Sequence, residues 1–224
     1  PDYTHNSKLY TSFYNTLSSQ NKEVTYPEVG QEYEFGEGSF TVLGPTQIRD
    51  DSNNNSVVVR LDYGDTSFLF TGDAESKEEK DIIAANEDLY CDVLSVGHHG
   101  SASSTSWDFL EAVLPEYAVI SCGVNNSYGH PDPDTIEKLE SIEAQIFRTD
   151  LQGNIIAISD GETITWNNVP SNGEVLYAAD FVSVKEEPND TSSTVGELGP
   201  GNQIQVLNRD DDGWATIVFN GATT

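Results

Sequence analysis

The stretch from Thr71 to Pro131 carries TGDAE (71–75), VGHHGS (96–101) and YGHP (128–131), each following an apolar, β-rich run. Strand ends are where α/β proteins keep their chemistry. Three of the four histidines (His98, His99, His130) and the acidic residue of a tight turn (Asp73) gather there. Imidazole plus carboxylate, with no thiolate nearby, is a ligand set suited to a hydrolytic metal such as zinc, manganese or iron. One histidine so placed is commonly structural. Four candidate ligands at successive strand ends point to a site.

A chain of 224 residues is long enough for one sizeable core, or for a medium domain plus a small one, and the second fits better. No apolar run approaches the roughly 20 residues that a spanning helix needs. The formal charge of -28, from 38 acidic against 10 basic residues, is spread along the chain. It argues against a basic groove tracking a long nucleic-acid backbone. A metal site could still neutralise one phosphate locally, so a phosphodiester substrate stays open. The charge itself fits solubility in salty or extracellular surroundings. Cys91 opens one apolar run and Cys122 closes the next, which would set the sulfurs about 15–20 Å apart on parallel neighbours. Both are expected to be free and buried. The chain has no Met and begins at Pro1, so neither an initiator nor a signal peptide is visible, and it reads as a piece of something longer.

Residues 6–19 place Leu9, Tyr10, Phe13 and Leu17 at helical spacing, with Ser7 as a cap. Residues 32–43 alternate around a Gly-rich turn and predict a hairpin, and DDSNNNS (50–56) predicts a polar Asx loop. Strands are expected at 57–61 and 67–71 around Tyr63-Gly64-Asp65, and a helix at 75–86 with Ile82 and Ile83 buried. A strand VLSVG (93–97), a helix at 103–113 stopped by Pro115, and a strand at 117–122 follow. Asp132-Pro133-Asp134 then reads as a cap and first turn of a helix through Ile136, Leu139 and Ile142. Segments 145–147, 154–159 and 163–166 are expected as a small antiparallel set, and NNVPSNG (167–173) as a linker. Alternation of strand and helix is an α/β layer design.

A TGD turn before a helix, a strand ending in HHGS and a strand ending in NNSYGHP together resemble the metallo-β-lactamase superfamily. Within it, the likeness is to the hydrolase domain of competence DNA-uptake channel proteins and the soluble hydrolases related to it. The resemblance covers residues 6–166 and includes NNNSVVVRLDYGDTSFLFTGDAE (53–75). It implies an αββα sandwich, of which this chain would hold the C-terminal part. It also implies two divalent ions, zinc or manganese, in the full-length protein. Asp73 would bridge them and His130 would bind one. Of the HHGS pair, one histidine would ligate metal and the other give a proton to the leaving group; His98 is assigned to the metal and His99 to acid/base work. Gly100 and Gly129 would leave room for substrate beside the metals, or serve as plain turn glycines. Ser101 would orient a ligand through its hydroxyl. Asp132 stands where relatives often read GHPH, as a helix cap or a polar group at the site mouth. The family's HxHxDH motif does not occur in these 224 residues. Half of the ligands are therefore expected to be missing, and His5 reads as a lone structural histidine.

From about Tyr177, DFVSVKEEP (180–188) and TVGELGPGNQIQVLNRDDDGWATIVFNG (194–221) resemble a bacterial SH3-like module, a small all-β barrel, here incomplete. Such a module would hold cell-wall peptide or glycan, or serve as a spacer. The expected organisation is a metallo-β-lactamase-like hydrolase domain over 1–167, lacking its HxHxDH half, and an incomplete SH3-like domain over 175–224. The resemblance implies a metal-dependent hydrolase that attacks phosphodiester bonds of a small-molecule or nucleotide-type substrate through a metal-bound hydroxide. This fragment alone is expected to be inactive. Two alternatives stand beside it: an acyl hydrolase acting on an amide, thioester or lactam, and a non-catalytic cell-wall-binding protein. No membrane span is expected, and an extracellular or wall-associated, soluble protein is.

Overall fold

The hairpin at the centre of the chain follows directly from its turn. Val58–Tyr63 (β3) and Thr66–Phe70 (β4) pair antiparallel with Tyr63 opposite Thr66, leaving Gly64 and Asp65 as the two-residue loop. Gly64 has φ +58°, and a Cβ there would lie 2.2 Å from the Gly161 carbonyl oxygen, so only glycine fits. The structure is a computed structural model that describes residues 6–86, 88–172, 174–209, 213–219 and 222–223.

Seven strands form one sheet in strict sequence order. They are Glu32–Phe35 (β1), Gly38–Gly44 (β2), β3, β4, Val93–Ser95 (β5), Tyr117–Ile120 (β6) and Gln145–Arg148 (β7). The first four pair antiparallel, and from β4 onward the pairs are parallel. Parallel neighbours need crossovers, supplied by the helices Ser76–Ala85 (α2), Trp107–Val113 (α3) and Pro133–Ser141 (α4). Leu69, Leu94, Ala118, Ile120 and Ile146 from the strands meet Ile82, Phe109, Leu110, Val113 and Leu139 from the helices, all buried in one core. Each large apolar side chain so buried contributes about 1.5–3 kcal/mol before entropy is counted. Side chains on the opposite face, including Phe68, Phe70 and Val119, line an open apolar groove of about 590 Å³ with Trp166 at its edge.

Several expectations need correction. Segment 145–147 was expected in an antiparallel set with 154–159 and 163–166, yet β7 pairs parallel with β6 as the edge of the main sheet. The α4 crossover returns the chain in that direction. Ala157–Ser159 (β8) and Ile164–Trp166 (β9) form their own hairpin, and Trp166 stacks on Phe147 with centroids 4.1 Å apart. The helix expected from Ser103 begins only at Trp107. Residues 103–106 are held as loop instead: Ser104 Oγ donates to Ala74 O at 2.7 Å, and the buried Glu79 carboxylate accepts from the amides of Thr105 and Ser106. On α2, Ile82 is buried and Ile83 half-buried, but Glu78 and Glu79 are buried as well, which periodicity alone did not show.

Ser7 caps Lys8–Ser19 (α1) by accepting from the Tyr10 amide at 3.1 Å, but no residue of α1 is buried. The Asx loop carries buried pegs, with Asn54 at 0% and Asn55 at 4% exposure. Cys91 and Cys122 are both free; Cys91 is buried and Cys122 only half-buried. In the expected linker, Ser171 and Asn172 bond back to β7: Asn172 Oδ1 accepts from the Ile146 amide at 2.8 Å and Nδ2 donates to Ala144 O at 3.0 Å.

Beyond it lie only strands among the described residues: Glu174–Tyr177 (β10), Val182–Lys185 (β11), Thr194–Leu198 (β12), Gln203–Arg209 (β13), Ala215–Phe219 (β14) and Ala222–Thr223 (β15). β10, β13, β14 and β15 form one sheet and β11 pairs with β12; Val184, Val206 and Ile217 make a small core. His5, Gly173, Asp210 to Asp212 and Asn220-Gly221 lie outside the described residues. Among the described residues no helix is long and apolar enough to cross a membrane.

Candidate functional site

The parallel strands deliver their ends to one edge. After β4, Gly72 takes φ +56°, Thr71 Oγ1 donates to Ser95 O at 2.8 Å, and the Asp73 amide donates to Ser56 Oγ at 3.0 Å. These bonds tie the TGD turn to β5 and to the Asx loop, and leave the Asp73 side chain at the open edge, 44% exposed.

After β5, Gly97–Gly100 makes a 3-10 turn in which His98 (φ +50°) and His99 (φ +59°) are both left-handed. Two successive non-glycine residues in that region cost about 1–2 kcal/mol each. The turn is held by the His98 amide donating to Gly72 O at 2.9 Å. His99 Nδ1 lies 2.7 Å from Ser121 O, and its Nε2 lies 3.7 Å from Asp73 Oδ1. A carbonyl can only accept, so His99 Nδ1 carries the hydrogen and Nε2 is left facing the carboxylate.

The loop after β6 brings His130 to the same place. Asn126 clamps its backbone from both sides, with Oδ1 accepting from the His130 amide at 3.0 Å and Nδ2 donating to its carbonyl at 2.6 Å. The His130 ring lies 5.8 Å from that of His98, and Tyr128 stacks on it, also at 5.8 Å and tilted 11°. His98 and His99 rings are 6.2 Å apart. His99, Ser121, Cys122, Asn126, Tyr128 and His130 border a 260 Å³ groove.

Asp73, His98, His99 and His130 thus come together. Ser101 is turned inward at 9% exposure, its hydroxyl 3.0 Å from that of Ser103. Asp132 Oδ1 accepts from the Asp134 amide at 2.9 Å and caps α4. Gly129 has φ +77° with open space where a Cβ would point, while Gly100 is pressed against Pro131. Cys122 borders the groove. Burial, then Asp150 beside it, pushes its thiol up to about 11, so at neutral pH it is not a thiolate.

Sequence reasoning passed over Glu75, Ser56, Asn54, Ser103 and Asn126, which hold the candidates in place. The only available signal was the carboxylate two residues after Asp73 and the density of Asx residues in NNNS (53–56). The donor chemistry suits a divalent hydrolytic ion, but the count falls short. Among the described residues no group of three or more His, Cys, Asp or Glu side chains is arranged to hold a metal. The residues present do not by themselves close a metal site.

Comparison with known proteins gives this edge its family context. ComE operon protein 3 of Bacillus subtilis is 38% identical over 117 residues, covering 52% of this chain and 15% of that protein. Competence protein ComA of Neisseria gonorrhoeae is 38% identical over 125 residues, 55% of this chain and 18% of the relative. Recombination protein 2 of Haemophilus influenzae is 36% identical over 133 residues, 58% and 16% respectively. The chain therefore spans less than a fifth of the length of these curated relatives. The family model described as metallo-beta-lactamase superfamily matches residues 3–124, more than half of the 224. With the mixed sheet and its loaded edge already in place, that match settles the family: the chain belongs to the metallo-beta-lactamase superfamily.

Proposed function

We propose that this chain is part of a metal-dependent hydrolase acting on phosphodiester bonds. Asp73, His98 and His130 are its share of the metal ligands, for two ions, zinc or manganese, and His99 is its acid/base group. The observation that carries the reading is the convergence of these four side chains, with His99 Nε2 3.7 Å from Asp73 and the His98 and His130 rings 5.8 Å apart. The remaining donors are proposed to come from an HxHxDH segment outside these residues, which is also why this chain alone is expected to be inactive.

Held by Asp73, His98 and His130 together with donors from outside these residues, a divalent ion would supply Lewis-acid activation of a water. The chain's own residues do the rest. Ser121 O fixes His99 as the Nδ1–H tautomer, so Nε2 can exchange a proton with a departing oxygen. Ser101 braces Ser103, Gly129 and Asp132 are proposed to meet substrate, and Gly100, buried against Pro131, shapes the turn. Relatives named for competence and recombination support a nucleotide-type phosphodiester over an acyl substrate. The charge of -28 favours a substrate carrying few phosphates over a long duplex.

The C-terminal strands, which we propose to be an incomplete SH3-like domain over 175–224 after a hydrolase domain over 1–167, would carry cell-wall peptide or glycan. An extracellular, wall-associated setting belongs to the same reading.

The shortfall in donors favours one second reading, a non-catalytic wall-binding protein built on this scaffold. The test is a panel of phosphodiesters (bis-p-nitrophenyl phosphate, dinucleotides, short single-stranded DNA) and acyl substrates (a lactam, a thioester). It is run with zinc or manganese on a chain extended to include HxHxDH. Phosphodiester products support the proposal, acyl products alone overturn it, and metal-loaded protein without turnover favours the scaffold reading.

A further inference from the structure

Glu75, two residues beyond Asp73 and just ahead of α2, is a meeting point for hydrogen-bond donors. Its Oε1 accepts from Ser103 Oγ at 3.0 Å and from Asn53 Nδ2 at 3.3 Å, and Oε2 accepts from Asn54 Nδ2 at 3.2 Å. The support behind it is rigid: Asn54 is at 0% exposure, and its Oδ1 accepts from the Glu78 amide at 3.1 Å. On the other side, Glu75 Oε1 lies 3.4 Å from His98 Nδ1, and Ser103 Oγ lies 3.4 Å from the same nitrogen. The Ser103 hydroxyl also lies 3.0 Å from Ser101 Oγ, and with its hydrogen on Glu75 or on Ser101 its oxygen can only accept from the imidazole. Two acceptors therefore face Nδ1.

We infer that Glu75 is the positioning residue of His98, fixing it as the Nδ1–H tautomer and leaving Nε2 as the nitrogen with a free lone pair. A histidine's unused ring nitrogen is set by what the other one bonds, and a carboxylate is the stronger of the usual partners. The adjacent His99 reaches the same tautomer through a neutral carbonyl, Ser121 O. Glu75 faces Nδ1 itself and, with Ser101, offers the Ser103 hydrogen an acceptor other than that nitrogen. The use of His98 Nε2 as a metal ligand rests on the hydrolase reading above. The tautomer does not.

The experiment is long-range proton–nitrogen NMR of the ¹⁵N-histidine-labelled, metal-free 224-residue chain, at a pH where the imidazoles are neutral. His98→Asn assigns the signals. The expected result is a pyrrole-type Nδ1 and a pyridine-type Nε2 for His98. In Glu75→Ala the ratio of Nδ1–H to Nε2–H should fall by about tenfold, the effect of losing one charge-assisted hydrogen bond, with His99 unchanged as the internal reference. Ser103→Ala should keep the wild-type tautomer, because Glu75 remains. An Nε2–H tautomer in the wild-type chain overturns the inference without needing any variant. So does an unchanged His98 in Glu75→Ala, or a switch seen in Ser103→Ala alone. Absence of hydrolysis by the extended chain, with the tautomer intact in the shorter one, would sink the hydrolase reading and leave this inference standing.

Discussion

A Cβ built on Gly100 would stand 2.6 Å from Cβ of Pro131, so the HHGS turn and the YGHP loop touch backbone to ring. The contact is reinforced by the Asp132 amide, which donates to Gly100 O at 2.8 Å. Gly100→Ala would both strain a left-handed residue at φ +80° and push the two loops apart. Its expected cost is about 2–4 kcal/mol. Gly129→Ala, with a similar φ of +77° but open space beyond it, should cost only about 1 kcal/mol. Urea unfolding of the two variants measures the difference; equal costs would show that the loops do not depend on this contact.

Glu78 gives the chain a pH-dependent stability of unusual sign. It is 1% exposed, and among the described residues neither carboxyl oxygen has a hydrogen-bond partner of normal geometry. Burial pushes its pKa from 4.5 up to about 7, with the Ser56 amide and the Arg49 charge offsetting only part. The folded state therefore holds the proton more tightly than the unfolded one. This group's contribution is fully present below about 4.5 and is lost as pH rises through about 7. The shift corresponds to about 3 kcal/mol. Glu78→Gln should be more stable than wild type at pH 8, by on the order of 2–3 kcal/mol. Near pH 4 the two should be nearly equal. Denaturant midpoints across that range check it, and a difference independent of pH would refute it.

The two thiols should be slow nucleophiles. Burial drives Cys91 up to about 12, and Cys122 is held near 11 by burial and then Asp150. Neither is a thiolate at neutral pH. Alkylation by iodoacetamide at pH 8 should run at least about tenfold slower than for a free cysteine, whose pKa is about 8.5. Cys122 should react before Cys91 as pH is raised, because it is only half-buried. Rapid labelling of Cys122 at pH 7, read by mass spectrometry, would contradict this.

Metal affinity separates the roles proposed for the site. Residues 1–224 should bind zinc only weakly, since an incomplete ligand set holds an ion poorly. Tight stoichiometric binding by calorimetry would refute the missing-half reading. In the extended chain, Asp73→Asn should lower turnover by about a hundredfold or more while leaving the thermal midpoint close to wild type. His99→Ala should lower turnover with metal content nearly unchanged, and His98→Ala should lose metal. The opposite pattern for the two histidines would reverse their assignment.

The edge of the sheet was legible because its signals are local. Alternating apolar residues, a Gly-Asp turn and three short motifs each sit within a few residues of the element they define. What stayed hidden depends on contacts between distant segments. Nothing in residues 145–147 says that they pair with β6 instead of β8. Nor does anything in SKEEK (76–80) show that Glu79 reaches across to the amides of Thr105 and Ser106 and delays α3 until Trp107. Glu75 escaped for the same reason: its partners, Asn53, Asn54, Ser103 and His98, lie 22, 21, 28 and 23 residues away in the chain. Cys122 was assigned to the interior because its strand was expected to extend through it, whereas β6 ends at Ile120.

The strand order β1 to β7 follows the chain without a single exchange. Every new strand docks on the one made just before it, so each step closes a loop no longer than one hairpin or one helical crossover, and loop closure is cheap at that length. Contacts of this kind favour fast folding. The sheet can lengthen edge by edge as the polypeptide leaves the ribosome, β4 already waiting when β5 arrives. The loaded edge would then be assembled in step with the sheet, one motif-bearing turn at a time.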